Sequence, residues 1–253
     1  MKIDWKSERT RDDLTIPADY LNKDAETQNR RELTFILQEA AFGEGVPLYC
    51  AIDIDKLSEE EKVLFLCDGF EVRGALILGL PIHEELLLME QGIPLAEEGA
   101  FRTDTMAGLW VKNRLLDFSE RLAVMGYRTH LIDPVLTPDP RFAAMLAASK
   151  KGFAGRCGRF VTPDLGPRAC LGMILTDAPL MGGDYRYADY EGAGCGDCTA
   201  CLEVCPAGAI DRNGVDIEKC LSWRDRPENQ KEVAAHSHLK CFECMKACPV
   251  GRG

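Results

Sequence analysis

The sequence predicts an α+β chain with two domains, a larger α/β domain over residues 1–183 and a smaller cysteine-rich domain over residues 184–253. Three observations predict this organisation. Helical and strand patterns alternate along the first part. Eight of the twelve cysteines fall between Cys195 and Cys248. Five glycines lie between residues 181 and 196, which is typical of a linker.

The first domain is predicted to begin with a polar, irregular arm over residues 1–30. Helical apolar spacing, a capping box at Ser58 and an alanine-rich stretch predict four helices, over residues 26–42, 58–66, 103–125 and 141–149. Apolar runs predict four strands, over residues 46–52, 72–78, 128–132 and 170–175. This alternation is typical of a layered domain in which helices cover a sheet.

Charge and hydropathy exclude several classes of partner. The net charge is −11 and the isoelectric point is about 4.9. Nucleic-acid binding relies on Lys and Arg side chains that displace counterions, so a nucleic-acid partner is not expected. The N-terminus, MKIDWKSERT, lacks an apolar signal core. The best apolar run, residues 74–82, is far shorter than the ~18–20 residues of a membrane helix. We therefore expect a cytoplasmic protein with no membrane partner.

The cysteines of the second domain carry the clearest chemical signal. The run CGDCTACLEVCP, which begins at Cys195, has the Cys-x2-Cys-x2-Cys-x3-Cys-Pro spacing of bacterial-type ferredoxins. The fourth cysteine of such a run binds a second cluster. A second motif begins at Cys241, but it lacks its leading cysteine, and His238 stands in that position. Zinc sites use paired Cys-x2-Cys motifs, which this proline-terminated spacing does not match. The sequence therefore predicts two [4Fe–4S] clusters in a ferredoxin-like unit.

Two cubanes need about eight thiolates. The motifs predict the ligands of a first cluster, which we call cluster A: Cys195, Cys198, Cys201 and Cys248. They also predict the ligands of a second cluster, which we call cluster B: Cys205, Cys220, Cys241 and Cys244. His238 competes with Cys220 for the fourth position on cluster B, and Cys220 is favoured because thiolate is the usual cubane ligand.

A glycine-rich loop, SKKGFAGRCGR over residues 149–159, precedes the cysteine motifs. Glycine permits close approach of a backbone to a ligand, and basic side chains suit a phosphate. Five residues of this loop are therefore candidate cofactor-binding residues: Lys150, Gly152, Gly155, Arg156 and Gly158. The alternative is a loop that joins two elements and exposes a basic surface. Cys157 lies between two arginines, which would lower its thiol pKa, and it is predicted to be structural rather than reactive.

Several motifs in a fixed order resemble the epoxyqueuosine reductase and reductive dehalogenase superfamily. They are the alanine-rich helix, the glycine loop, VTPDLGPR at 161–168, LG at 171–172 with ILTDAPL at 174–180, and the two cysteine motifs. The resemblance implies a nitroreductase-like α/β domain followed by a double-cubane ferredoxin-like domain. It also implies that the clusters reduce a base-off corrinoid such as cobalamin, which then reduces a substrate.

Two positions of the first domain are interpreted through this resemblance. Asp133 falls where epoxyqueuosine reductases carry an aspartate, which implies a general acid in an apolar pocket. The alternative is that Asp133 and Pro134 only form a turn at the end of a strand. Lys150 stands where the family has glycine, so it either obstructs a corrin ring or binds a different anionic ligand.

The predicted function is that of an iron–sulfur oxidoreductase. A low-potential donor such as ferredoxin or flavodoxin would reduce the clusters, which would pass electrons to a corrinoid or a small-molecule substrate in the first domain. The alternative is a non-catalytic electron-transfer or accessory protein that has lost the corrinoid site and docks a protein redox partner. A tRNA substrate is not expected, because the chain is acidic and offers no residues for the C-terminal helical-repeat region of epoxyqueuosine reductases.

Overall fold

The computed structural model describes residues 25–82, 93–95, 99–101, 103–135, 138–183, 189–224, 226 and 241–252. Most of the predicted arm and the alternative ligand His238 lie outside these residues. Among the described helices, none is both long enough and apolar enough to cross a membrane.

Helices and short strands alternate along the described chain. The helices are α1 (Ala25–Gly43), α2 (Glu59–Lys62), α3 (Thr103–Val124), α4 (Pro140–Ala147), α5 (Ala200–Glu203), α6 (Ile217–Arg224) and α7 (Glu243–Ala247). The strands are β1 (Leu48–Asp53), β2 (Gly74–Pro81), β3 (Ile93–Leu95), β4 (Gly99–Phe101), β5 (Thr129–Val135), β6 (Phe153–Ala154), β7 (Phe160–Val161) and β8 (Ala169–Thr176).

A four-stranded sheet in the order β1-β2-β8-β5 organises the larger part of the chain, and its neighbouring strands are antiparallel. Side chains alternate between the two faces of a strand, and β2 is buried on both. Leu76 and Leu78 face α1 and α3, where Leu115 and Phe118 are fully buried. The opposite face of the sheet is covered by α4 and by the 3-10 turns after β1 and α2. The predicted α+β fold class is confirmed.

The buried side chains of the cysteine-rich part are continuous with this core. Cys244 and Met245 belong to the same apolar cluster as the side chains of α1 and α3. The division at residue 183 stays a prediction.

The local signals in the sequence place several element ends. Ser58 and Glu61 form the predicted reciprocal capping box at the start of α2, with the Glu61 N–H donating to the Ser58 hydroxyl and the Ser58 N–H donating to the Glu61 carboxylate. Gly126 follows α3 with a φ of 89°, a left-handed conformation that suits glycine. The predicted strands agree with β1, β2, β5 and β8 to within a few residues.

Lys150 ends the turn that follows α4, and its φ is 60°. A side chain with a Cβ is strained in this left-handed region. We therefore expect Lys150→Gly to raise the free energy of unfolding by about 0.5–1 kcal/mol, since glycine adopts this conformation without strain. Ala148→Gly is the matched control. Ala148 has helical dihedrals, with a φ of −62°, and its replacement should lower stability. Denaturant titration of both variants checks this, and a destabilised Lys150→Gly protein would contradict it.

Candidate metal centre and adjoining cavity

The predicted cluster ligands lie on short helices and turns. Cys201 lies in α5, Cys220 in α6 and Cys244 in α7. The Cys205 sulfur accepts a hydrogen bond from the Ala209 N–H at 3.3 Å. Short helices with intervening turns can present several thiols towards one centre, because each turn redirects the chain.

The structure brings seven of the eight predicted thiols into two adjoining groups. Cys201 and Cys248 each interact electrostatically with Cys195 and Cys198, the other two predicted ligands of cluster A. Cys241 interacts with both Cys244 and Cys220, which are predicted ligands of cluster B. Cys201 also interacts with Cys244, so the two groups adjoin. The assignment of individual ligands stays a prediction.

Burial raises the pKa of the Cys201 thiol to about 11, and burial also raises the pKa values of Cys241 and Cys248. Iron binds thiolates, so a cluster that forms here displaces protons from these groups. Among the described residues, no three His, Cys, Asp or Glu side chains form a site for a single metal ion. A cubane differs from such a site because its four thiolates bind four separate iron atoms. The donor set fits two cubanes by its chemistry, since eight thiols and no competing disulfide are present.

The VTPDLGPR segment holds the second cysteine motif in place. Arg168 is buried, and its guanidinium donates to the carbonyl oxygens of Met245 and Cys248, both at 3.2 Å, and to that of Val250. Gly166 has a φ of 60°, and a Cβ built there would lie 2.2 Å from the Val250 carbonyl oxygen. Only glycine allows this close approach, because its lack of a Cβ leaves room for the backbone near Cys248.

The first cysteine motif is held by the glycine loop. The guanidinium of Arg156 donates to the carbonyl oxygens of Gly196, Cys198 and Arg212. The backbone N–H of Arg156 lies 3.4 Å from the sulfur of Cys195 and donates to it. Arg156 therefore fastens the loop to cluster A's predicted ligands.

Packing within the chain accounts for the three glycines of this loop. The loop contains a hairpin in which β6 pairs with β7. A Cβ at Gly152 would lie 2.2 Å from the Val161 carbonyl oxygen, and one at Gly155 would lie 2.8 Å from the Val161 side chain. Gly158 has a φ of 70° and packs against Val215. These contacts agree with the alternative interpretation of the loop, in which it joins two elements. Phosphate binding by this loop stays a prediction.

Two further loop residues reach cluster B's predicted ligands. Cys157 is buried, and its thiol forms a hydrogen bond with Cys244 that holds the pKa of Cys244 below its usual value. Arg159, also buried, hydrogen-bonds to Cys244 and lowers that pKa further. The sequence showed Arg159 only as one of several basic residues near a glycine loop, and its approach to Cys244 depends on contacts between distant segments.

A cavity of about 480 Å³ lies on the α4 side of the sheet, and most of its lining is apolar. Its volume is within the ~300–1,000 Å³ that is usual for small-molecule sites. The lining includes residues from three strands and from the segment before Cys195: Leu48, Cys50, Ile77, Leu171, Asp189 and Tyr190.

Tyr190 connects this cavity to the first cysteine motif. Its ring stacks on Phe153 with centroids 5.0 Å apart, and its hydroxyl accepts a hydrogen bond from the Gly194 N–H at 2.9 Å. Gly194 directly precedes Cys195. Beside it, Lys151 forms an ion pair with Asp189 at 2.9 Å. The wall of the cavity thus continues into the segment that carries the predicted ligands of cluster A.

Lys150 and Asp133 do not line this cavity. The Lys150 side chain is exposed, while its neighbours Ser149 and Lys151 contribute to the lining. The effect of Lys150 on a corrin ring, or its binding of another anionic ligand, stays a prediction. Asp133 lies in β5 at a β-bulge, is 65% exposed, and pairs with Lys112 at 2.9 Å. The described residues form no apolar pocket around the exposed Asp133 carboxyl, and its role as general acid stays a prediction.

Comparisons with known proteins find similar sequences and folds. Residues 194–251 match the family model of the 4Fe-4S double cluster binding domain. Epoxyqueuosine reductase from Bacillus anthracis is 26% identical over 177 residues, which are 63% of this chain and 44% of that protein. The enzyme of the same name from Staphylococcus aureus is 32% identical over 108 residues, which are 40% of this chain and 27% of that protein. The chain thus spans less than half of the length of these curated relatives.

Solved structures share the fold. Epoxyqueuosine reductase from Streptococcus thermophilus superposes with a TM-score of 0.55 at 18% identity, covering 88% of this chain and 67% of that one. A catabolic reductive dehalogenase in complex with 3-bromo-4-hydroxybenzoic acid gives a TM-score of 0.59 at 18% identity, covering 84% of this chain and 31% of that one. The predicted resemblance to epoxyqueuosine reductases is confirmed by these relatives, the likeness to the reductive dehalogenase is one of fold, and residues 194–251 are similar to the 4Fe-4S double cluster binding domain.

Proposed function

We propose that this protein is an iron–sulfur reductase in which clusters A and B pass electrons from a low-potential donor, such as ferredoxin or flavodoxin, to an acceptor in the 480 Å³ cavity. The observation that carries the proposal is the wall shared by the cavity and the first cysteine motif. Tyr190 lines the cavity and is hydrogen-bonded to Gly194, the residue before Cys195. An acceptor in this cavity would lie beside the cluster A end of the electron path.

The acceptor is proposed to be a corrinoid or a small-molecule substrate. Relatives in this superfamily include a reductive dehalogenase whose structure suggests a mechanism for B12-dependent dehalogenation. The apolar lining suits the face of a large ring, and the Lys150 side chain leaves the cavity free. A bound corrinoid would supply a cobalt centre that accepts electrons from the clusters and reduces the substrate.

This chain's own residues would orient the acceptor and exclude water from the cavity. The stacked pair of Phe153 and Tyr190 and the ion pair of Lys151 and Asp189 close one side of the cavity. A whole corrinoid is much larger than the drug-sized ligands that such volumes hold, so this side would have to open for it. A small-molecule substrate fits without that movement.

Asp133 is the proposed proton donor. It lies at the β-bulge of β5 and is exposed, so a movement of this segment would be needed to bring its carboxyl to the cavity. Epoxyqueuosine reductase from Bacillus subtilis has been described with its aspartate catalytic loop swung out of the active site. Protonation of a reduced product by a carboxylic acid is ordinary general-acid chemistry.

An RNA substrate is less well supported. One related structure is that of epoxyqueuosine reductase with an epoxyqueuosine-modified tRNA stem loop. The net charge of −11 of this chain opposes binding of a polyanion, and Arg156 is occupied by backbone carbonyls.

The proposal is tested by filling the cavity. Leu48 lies on the edge strand β1 and lines the cavity, so Leu48→Trp should occupy part of its volume. We expect anaerobically reconstituted wild-type protein to bind cobalamin stoichiometrically with a base-off shift in its visible spectrum. Leu48→Trp should lose at least tenfold in affinity while keeping about eight irons per chain.

Leu66→Trp is the control, since Leu66 is 70% exposed and does not line the cavity. It should bind cobalamin as the wild type does. Absence of binding in the wild type would exclude the corrinoid form of the proposal. The same pair of variants would then be compared for the rate at which small-molecule acceptors reoxidise the reduced clusters. Equal rates in both variants would favour the accessory electron-transfer function.

A further inference from the structure

Arg159 is a buried cation with no carboxylate partner among the described residues. It is 6% exposed, and its Nε and Nη2 atoms are buried with no hydrogen-bond partner among the described residues. No carboxylate in the described part of the chain forms an ion pair with it. An unpaired buried charge is strongly destabilising, so such a group is expected to face an anion that the protein binds.

The environment of Arg159 identifies this anion. Its side chain hydrogen-bonds to Cys244, a predicted ligand of cluster B, and Cys157 contributes a second hydrogen bond to the same thiol. A [4Fe–4S] core with four thiolates carries a net negative charge, and its sulfides accept hydrogen bonds. The two unpartnered nitrogens of Arg159 therefore fit a cluster beside Cys244 and are left unpaired without it.

We propose that Arg159 is the buried counter-cation of cluster B and selectively raises the reduction potential of that cluster. Reduction adds one negative charge to the cluster, and a fixed positive charge nearby favours the more negative state. Hydrogen bonds from Arg159 and Cys157 to the cluster's sulfurs act in the same direction.

The reduction potentials of the two clusters would differ because the arginines beside them use their hydrogen-bond donors differently. Arg168, near Cys248 of cluster A, donates to three backbone carbonyls, and Arg156 does the same beside the first motif. Hydrogen bonds to carbonyl dipoles occupy the donors of those guanidinium groups. Arg159 has two donor nitrogens left for the cluster itself. Cluster B would therefore be the easier of the two to reduce and would hold the first electron.

The test is a redox titration of the 253-residue chain with both clusters, followed by electron paramagnetic resonance. Arg159→Met removes the charge but keeps an apolar side chain of similar length. We expect the equilibrium constant for reduction of one cluster to fall about tenfold, which is about 59 mV for one electron. The other cluster should not change. Arg159→Lys retains the charge and should keep more than half of the effect.

Arg141→Met is the matched control, because Arg141 is an exposed arginine on α4 and the change in net charge is the same. It should leave both potentials unchanged. If neither potential moves in Arg159→Met, or if Arg159→Lys shifts a potential as far as Arg159→Met, the proposal is wrong. Should Arg159→Met lose iron, Arg159→Gln, which is neutral but polar, takes its place, and an unchanged potential in it would overturn the proposal.

This inference rests on the proposed cluster ligands, and the experiment separates the two. Fewer than about eight irons in the reconstituted wild type would contradict the ligand set. A full iron content with potentials unshifted in Arg159→Met would contradict only the role of Arg159 and not the ligand set.

Discussion

Replacing Cys220 with alanine is expected to lower the iron content of reconstituted protein from about eight to about four irons per chain. Cys220 lies in α6 and interacts with Cys241, so it is placed to complete the set of cluster B. Loss of one thiolate leaves a cubane iron without its protein ligand, and the cluster becomes labile. Iron and sulfide analysis after anaerobic gel filtration measures this loss.

His238→Ala is the control for the Cys220 variant. Histidine is the competing ligand by spacing, and it lies outside the described residues. We expect His238→Ala to keep about eight irons. The opposite pattern, with iron lost from the histidine variant and retained in the cysteine variant, would assign His238 to cluster B.

The second large effect is expected from Arg168→Ala. The buried guanidinium donates to the carbonyl oxygens of Met245, Cys248 and Val250. These hydrogen bonds hold the second motif against the sheet. A buried acceptor left without a donor costs about 1–3 kcal/mol, and of the three affected carbonyl groups one is buried and two are partly buried. We expect the free energy of unfolding to fall by about 3 kcal/mol or more and cluster A to be lost faster to a chelator.

Arg128→Ala provides the comparison. The Arg128 side chain is 62% exposed and pairs with Asp177 at 2.7 Å, so its removal should cost less than about 1 kcal/mol. Chemical denaturation and the decay of visible absorbance in chelator report the two effects. Equal behaviour of the two variants would show that Arg168 does not hold the second motif.

Much of the sheet could be predicted because each strand has a local signal. Apolar runs marked β2 and β8, and these strands are buried on both faces. The capping box at Ser58 is likewise a local pattern with a local cause. The ligand spacing is equally local, since a cluster-binding run of 12 residues from Cys195 to Pro206 can be recognised without its surroundings.

The loop between α4 and β7 could not be interpreted in the same way. Its glycines and arginines suggested either a phosphate site or a loop that joins two elements. They did not predict that Gly152 and Gly155 pack on Val161 or that Arg159 contacts Cys244. These partners lie up to 85 residues away in the sequence, between positions 159 and 244. Composition and spacing carry no information about such contacts. The positive φ of Lys150 is similar, since a lysine in a left-handed conformation has no sequence signature.

The anchoring of Cys248 by Arg168 has a consequence for the biogenesis of the protein. Arg168 directly precedes β8, and β8 lies between β2 and β5 in the sheet. Its guanidinium binds the carbonyl oxygen of Cys248, 80 residues further along the chain. The position of this predicted ligand of cluster A is therefore coupled to the sheet. We expect folding of the sheet to favour assembly of cluster A on its predicted ligands.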